Sequence, residues 1–297
     1  MPNQLYQKGA ISLQKLRFFL MIALTTFLMG CQPEGAPSLR FGVLGAAEAI
    51  PIAMAQHLGY LDQVEIIVFT SARERDAAMQ AGALDGIVTD LVAVSLYREA
   101  GFGLQITGAA AGTFALIANA DFSEVALSSN TAAELFFDLL ELEAKKIEIP
   151  AIPARLEMLR EQQVEAAILP EPFASLAMSR TQLKVGSTKD IGFNPFVTAF
   201  TEGAIANKTA AVTAFFAAYD KAVAYLNENP LGPYEAFLSQ MLGFPLEAWA
   251  AYELPVFLKN SPPSDEDIKL TVDWLLGKEL ISSRFSPSDL MSPVPFW

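Results

Sequence analysis

From Leu39 onward, short apolar runs alternate with helix-length segments, and the boundaries carry Gly, Pro or capping residues. No other feature constrains the fold as much, because repeated β-α-β-α order favours a parallel sheet with helices on both faces. Residues 39–44 read as a strand broken by Gly45. Pro51 opens a helix over 52–58 that Gly59 ends. The β-branched run 64–69 predicts a buried strand. Ser71 and Glu74 form a capping-box pattern for a helix through Ala81, which Gly82 stops. Residues 85–89 predict the next strand, Asp90 can cap a helix running to Glu99, and 104–108 predict a further strand.

A second unit resembles part of the first. Residues 72–90 and 154–171 each predict a helix, then a hydrophobic residue, an acid, small residues, a short apolar strand and another acid. The spacing differs by two residues. Two ordinary α-β units and two lobes of related design both remain open. Between these units, 114–119 and 124–127 predict short strands, and 132–142 an amphipathic helix. A strand near 196–200 carries the chain back. The remainder is mostly helical, over 208–229, 246–257 with breaks and 264–278. The Pro-rich tail, 286–297, predicts an irregular strap held by Phe296 and Trp297.

Lys8, Lys15 and Arg17 precede a run, 18–29, that is apolar apart from two threonines. Twelve residues are too few to cross about 30 Å of hydrocarbon as a helix, so residues 1–30 read as a signal peptide. The only cysteine, Cys31, follows Leu28-Met29-Gly30, an order that resembles a bacterial lipobox and implies a lipidated first residue. Residues 31–38, rich in Pro and Gly, suit an extended tether. Beyond residue 30 the chain has 17 Lys and Arg against 33 Asp and Glu, a formal charge of −16. That balance argues against nucleic acid or an anionic membrane surface as partner, since both need clustered cations. A small anion is still compatible, because a few local amides override net charge.

Open sheets bind ligands beyond the carboxyl ends of their strands. Five segments fall there: 45–48, 70–71, 89–90, 128–131 and 170–172. Their hydroxyls and free helix amides suit a carboxylate, sulfonate, phosphate or polar ring edge. Ser71, Asp90 and Asn130 equally suit plain helix caps. Glu48, Asp90 and Glu171 could accept from ligand N–H groups, and Arg73 or Arg75 could pair with a ligand anion or make surface contacts. Catalysis finds little support. His57 is the sole histidine and suits a capping or half-buried role. Nucleophile systems need a spare base. The acids are dispersed rather than clustered as metal sites require, so no cofactor and no metal is expected.

Three further stretches carry a family resemblance. They are Gly42-Val43-Leu44-Gly45 with Glu48-Ala49-Ile50-Pro51, Ser71-Ala72-Arg73-Glu74-Arg75, and Leu169-Pro170-Glu171-Pro172-Phe173. In this order they resemble the NMT1/SsuA-like substrate-binding proteins of ABC importers, over most of residues 39–290. The resemblance implies an α/β, two-lobed type II periplasmic-binding-protein fold with two crossover segments. Lobe I would hold 39–114 and 200–297, and lobe II 115–199. It also implies a non-enzymatic, monomeric carrier of a small-molecule ligand, partnered by an ABC permease and held at the outer face of the cytoplasmic membrane by its lipid. Family ligands include sulfonates, nitrate and vitamin or pyrimidine precursors. The implied cleft residues are Ala46, Glu48, Ser71, Thr89, Asp90 and Glu171, joined by Ser129 and Asn130 from their strand-end loop. An enzyme on the same fold, of menaquinone-pathway or pyrimidine-synthesis type, and a sensory lipoprotein are the competing readings. Replacing the anchor residue, Cys31→Ser, is expected to move the chain from the membrane pellet to the soluble fraction with ligand affinity unchanged.

Overall fold

The computed structural model describes residues 38–119, 121–178 and 182–297. The expected leader, Cys31 and the tether up to residue 37 lie outside the described residues. Two five-stranded sheets organise the rest. The first is built from β1 (Leu39–Leu44), β2 (Val64–Phe69), β3 (Gly86–Asp90), β4 (Leu104–Ala109) and β10 (Phe196–Thr201), in the order β2-β1-β3-β10-β4. The second holds β5 (Phe114–Ala118), β6 (Glu124–Leu127), β7 (Lys145–Glu148), β8 (Ala166–Pro170) and β9 (Leu183–Ser187), in the order β7-β6-β8-β5-β9.

Neither sheet is wholly parallel, which corrects the expectation from β-α-β-α order. β10 runs antiparallel to both β3 and β4, and β5 antiparallel to both β8 and β9. In each case the reversed strand is the one that has just crossed from the other sheet. A strand arriving by crossover enters from the opposite direction, so it pairs antiparallel without needing a helical return. The crossings lie between Ala109 and Phe114 and between Ser187 and Phe196. They are bonded to each other: the Ala110 N–H donates to the Phe196 carbonyl at 2.9 Å, and the Asn194 amide to the Ala110 carbonyl at 3.1 Å. The Phe114 and Phe196 rings meet at 4.8 Å.

Helices α1 (Ile50–His57), α2 (Ala72–Gln80), α3 (Leu91–Glu99), α4 (Ala132–Leu139), α5 (Ile152–Arg160), α6 (Phe173–Ala177), α7 (Glu202–Asn207), α8 (Thr209–Glu228), α9 (Glu235–Leu242), α10 (Asp265–Gly277) and α11 (Pro287–Leu290) accompany the sheets. The caps follow the sequence. Ser71 accepts from the Glu74 N–H, Asp90 from the Ala93 N–H, and Ser264 from the Glu266 and Asp267 N–H groups. Thr131, not Asn130, caps α4. β7, β9, α7, α9 and α11 are absent from the sequence expectation, and of the helix expected over 246–257 only a 3-10 turn, Leu246–Ala250, forms. β7 has one apolar residue in four and β9 is a largely exposed edge strand, so neither shows the burial pattern that reveals a strand. The tail is a strap: Met291 bridges to Ile106 and Phe296 packs on Phe216, while Trp297 is half exposed.

The weak repeat becomes regular in three dimensions. α2 and α5 are both nine residues long and lie 80 residues apart, and so do β3 and β8. α5 starts at Ile152, not Ala154, which removes the two-residue discrepancy. Taken from β1 and from β6, the two sheets share one strand order, with the crossing strand inserted at the same place.

Buried phenylalanines seal the first lobe: the Phe41 ring lies 5.3 Å from Phe200 and 4.6 Å from Phe215. Gly86 makes room for this cluster, since a Cβ there would fall 2.5 Å from the Phe200 ring. Gly86→Ala is expected to destabilise the protein by about 1–3 kcal/mol through overpacking, read as a lower urea midpoint.

Candidate functional site

Where the two sheets face each other, a cavity of about 30 Å³ is lined by Glu48, Arg75, Thr89 and Asp90 from the first lobe and by Ser128, Thr131 and Arg155 from the second. Phe114 and Phe196, the crossover pair, lie at its edge. That volume holds one or two waters. The lobes are closed on each other. The Ala47 N–H donates to the Glu171 carbonyl at 2.8 Å, the Ile152 N–H to the Thr70 carbonyl at 3.1 Å, and Asp90 accepts from the Ala132 N–H. On the rim, Arg73 pairs with Glu148 at 2.9 Å. Helix-start amides of the kind that receive anions are thus occupied by the protein's own oxygens.

Arg75 is buried and fully engaged. Its guanidinium donates to the Val88 carbonyl, the Thr89 hydroxyl and the Asp76 carboxylate, all within 3.0 Å. Arg155 occupies the equivalent fourth position of α5 and is equally buried. There the 80-residue offset puts Leu156 in place of Asp76 and Leu169 in place of Thr89. Arg155 keeps one long bond, 3.3 Å to the Ile149 carbonyl, and its Nε has no partner. Burial lowers its pKa to about 10, against the opposing pull of Glu148, so it stays charged at neutral pH.

Glu48 is the matching acceptor. It lies in the 3-10 turn Ala47–Ala49, 5% exposed, and its Oε2 has no hydrogen-bond partner. Desolvation raises its pKa to about 7, with its own backbone amide and Arg75 lowering it and Asp90 adding to the rise. Burial also raises the pKa of Asp90, against the Ala93 and Ala132 amides and Arg75.

Of the eight expected cleft residues, Glu48, Thr89 and Asp90 meet in this cavity. Asp90 and Asn130 also line an adjoining groove of about 160 Å³. Glu171 lines another groove, of about 340 Å³, beside Tyr252 and Lys184; its carboxylate accepts from the Ser175 N–H and burial raises its pKa. Ala46 and Ser71 are buried and line neither the cavity nor these grooves, Ser71 being spent on its cap. Ser129 is exposed and its N–H donates to Glu148. The loop 128–131 turns outward at Asn130, whose φ is 56°, so Ser128 and Thr131 face the cavity instead. Neither Arg73 nor Arg75 is free for a ligand, since both are paired within the protein. Arg155 was missed. Its signal is an arginine on the stripe Ile152, Arg155, Leu156, Leu159, where α5 is otherwise apolar. His57 is exposed, stacked 4.2 Å from Phe237, and takes no part. Among the described residues no group of three or more His, Cys, Asp or Glu could hold a metal ion. No helix among them is long and apolar enough to cross a membrane.

No protein-family model and no curated protein matches the chain. Solved structures do. The chain is similar to the alkanesulfonate-binding protein SsuA from Xanthomonas axonopodis pv. citri bound to MOPS, with TM-score 0.72 and 16% identity, covering 88% of this chain and 99% of that one. It is similar to the ligand-binding component of an ABC-type import system from Staphylococcus aureus with zinc bound, with TM-score 0.69, 12% identity and coverage of 86% and 96%. It is also similar to a Candida albicans gene product with the generic periplasmic binding protein fold, with TM-score 0.65, 12% identity and coverage of 87% and 97%. The chain therefore has the two-lobed α/β periplasmic-binding fold.

The cavity's electrostatics set a pH dependence. Glu48 has a folded pKa of about 7 against an ordinary 4.5, so the folded state holds its proton more tightly between those values. Stability then falls as pH rises from 4.5 through 7, with no cost below the window and the full cost above it. Asp90 acts with the same sign. Glu48→Gln is expected to flatten this fall and to stabilise the protein at pH 8 by up to roughly 3 kcal/mol, measured by denaturant melts at pH 5 and pH 8.

Proposed function

We propose that this chain is the solute-binding component of an ABC importer, capturing a small polar or heterocyclic molecule between its lobes by hinge closure, with no covalent chemistry. One observation carries this reading: unpartnered, buried charged groups converge on a cavity between two lobes that are joined only by two adjacent crossover segments. Buried charge without a partner is costly, and a ligand that supplies the partner recovers that cost. The likeness to import-system binding proteins supports the same reading.

On this reading lobe I comprises 39–114 and 200–297 and lobe II 115–199, with β10 as the strand that returns to lobe I. Glu48, Thr89 and Asp90 face the ligand directly. Asn130 and Glu171 line grooves beside it, and Ala46, Ser71 and Ser129 support it from outside the lining. Cys31 carries the lipid that holds a monomeric body at the outer face of the cytoplasmic membrane, beside its permease. The lobes are bonded directly to each other around the cavity, so on this reading binding begins with their parting.

A thermal-shift screen of sulfonates, pyrimidines, flavins and amino acids tests the reading. A true ligand at about 100 times its Kd is expected to raise Tm by on the order of 5 °C. Flat melting curves across every class, accompanied by turnover of some metabolite, would sink it.

A further inference from the structure

Resting on the solute-binding reading, we propose that the ligand is a small zwitterion, its oxyanion paired with Arg155 and its N–H donor group with Glu48. The argument starts from the internal repeat. Two arginines stand at the same position of equivalent helices, α2 and α5, each buried at the cavity. The first is neutralised by Asp76 and bonded to Thr89. In the second lobe those two partners are Leu156 and Leu169, both buried and apolar. A buried guanidinium left with one long carbonyl bond, an unpartnered Nε and the pull of Glu148 gains from a further partner, and its planar edge suits an oxyanion.

The acceptor at the other end is Glu48, whose buried Oε2 has no donor. The ionisable groups that act on it are Arg75, already engaged, Asp90, which repels it, and Tyr252, whose ionisation it opposes. Asp90 itself is satisfied by the Ala93 and Ala132 amides, and in taking the Ala132 N–H it sits where a ligand anion would otherwise be received. The anion is thereby directed to Arg155. Arg75 is already paired with Asp76, so the charged groups left with an unpartnered buried atom are one acid, Glu48, and one base, Arg155. A ligand with one end of each sign meets both atoms; a ligand with one charged end meets only one.

The test uses the purified full-length chain and calorimetric titration. Glycine, β-alanine and 2-aminoethanesulfonate carry both ends; acetate, methanesulfonate and methylammonium carry one. Binding by at least one two-ended probe, at least about tenfold tighter than by any one-ended probe, supports the proposal, and the carboxylate and sulfonate arms distinguish the oxyanion. Glu48→Gln and Arg155→Met should each weaken the two-ended probe about tenfold or more, while their unliganded forms melt no lower than the parent at pH 8. A lower melting point for both would mean that these groups serve the fold, and would overturn the proposal. Equal binding of one-ended and two-ended probes, or variants with unchanged affinity, would overturn the zwitterion and leave a solute-binding cleft standing. If none of the six probes binds, the zwitterion is overturned, and the broader ligand screen separately decides the parent reading.

Discussion

Each sheet of this protein is completed by a strand that arrives from the other. β5 must leave the first lobe to lie between β8 and β9, and β10 must leave the second to lie between β3 and β4. Ladder bonds on both sides hold each crossing strand in its new sheet. Only the short stretches before these strands are free of either ladder, and they lie against each other through Ala110, Asn194 and Phe196. On the proposed solute-binding reading, bending is expected at this one place, with the two halves moving as units. The cavity lies beside that exchange, with the crossover rings Phe114 and Phe196 at its edge.

Much of this was legible in the sequence, because the informative elements are buried and properly terminated. Leu39–Leu44, Val64–Phe69 and the Asp90-capped helix Leu91–Glu99 were recovered at the residue, since β-branched runs and caps act locally. The direction of β10 was not, because antiparallel pairing is decided by which sheet the chain has just left. The site was half legible. Glu48, Thr89 and Asp90 stand at strand ends, where position alone implicates them. Ser128 and Thr131 were passed over for Ser129 and Asn130, because a single left-handed residue decides which way a four-residue loop points. Arg155 was hidden because a long side chain on an apolar stripe is easily taken for a surface residue.

The cavity concentrates charge that the protein only partly compensates. Arg75 and Asp90 are closed off by their own lobes and neighbours, whereas Glu48 and Arg155 each leave an atom unanswered. Around them the cleft is shut by direct bonds, so any ligand of the proposed kind would have to displace protein oxygens before meeting these groups. On the proposed reading recognition and opening are coupled: a molecule that fails to satisfy both ends gains too little to offset the bonds lost on opening.

A second contact between the lobes lies away from the cavity. Lys278, just past α10, and Lys146 of β7 share Glu134 and Asp138 on α4, and the Trp274 indole donates to Asp138 at 3.0 Å. Burial opposes ionisation of the two acids, and the ammonium groups outweigh it and hold both below the usual carboxylate range. α10 packs on α3, so this cluster ties the first lobe to the second from outside. If the lobes open and close as proposed, whatever strengthens or loosens this cluster changes the closing equilibrium by one common factor for every molecule the cleft accepts. Strength of retention and choice of cargo would then be set by different residues, and sequence change at Lys278 or Lys146 would retune the first without altering the second.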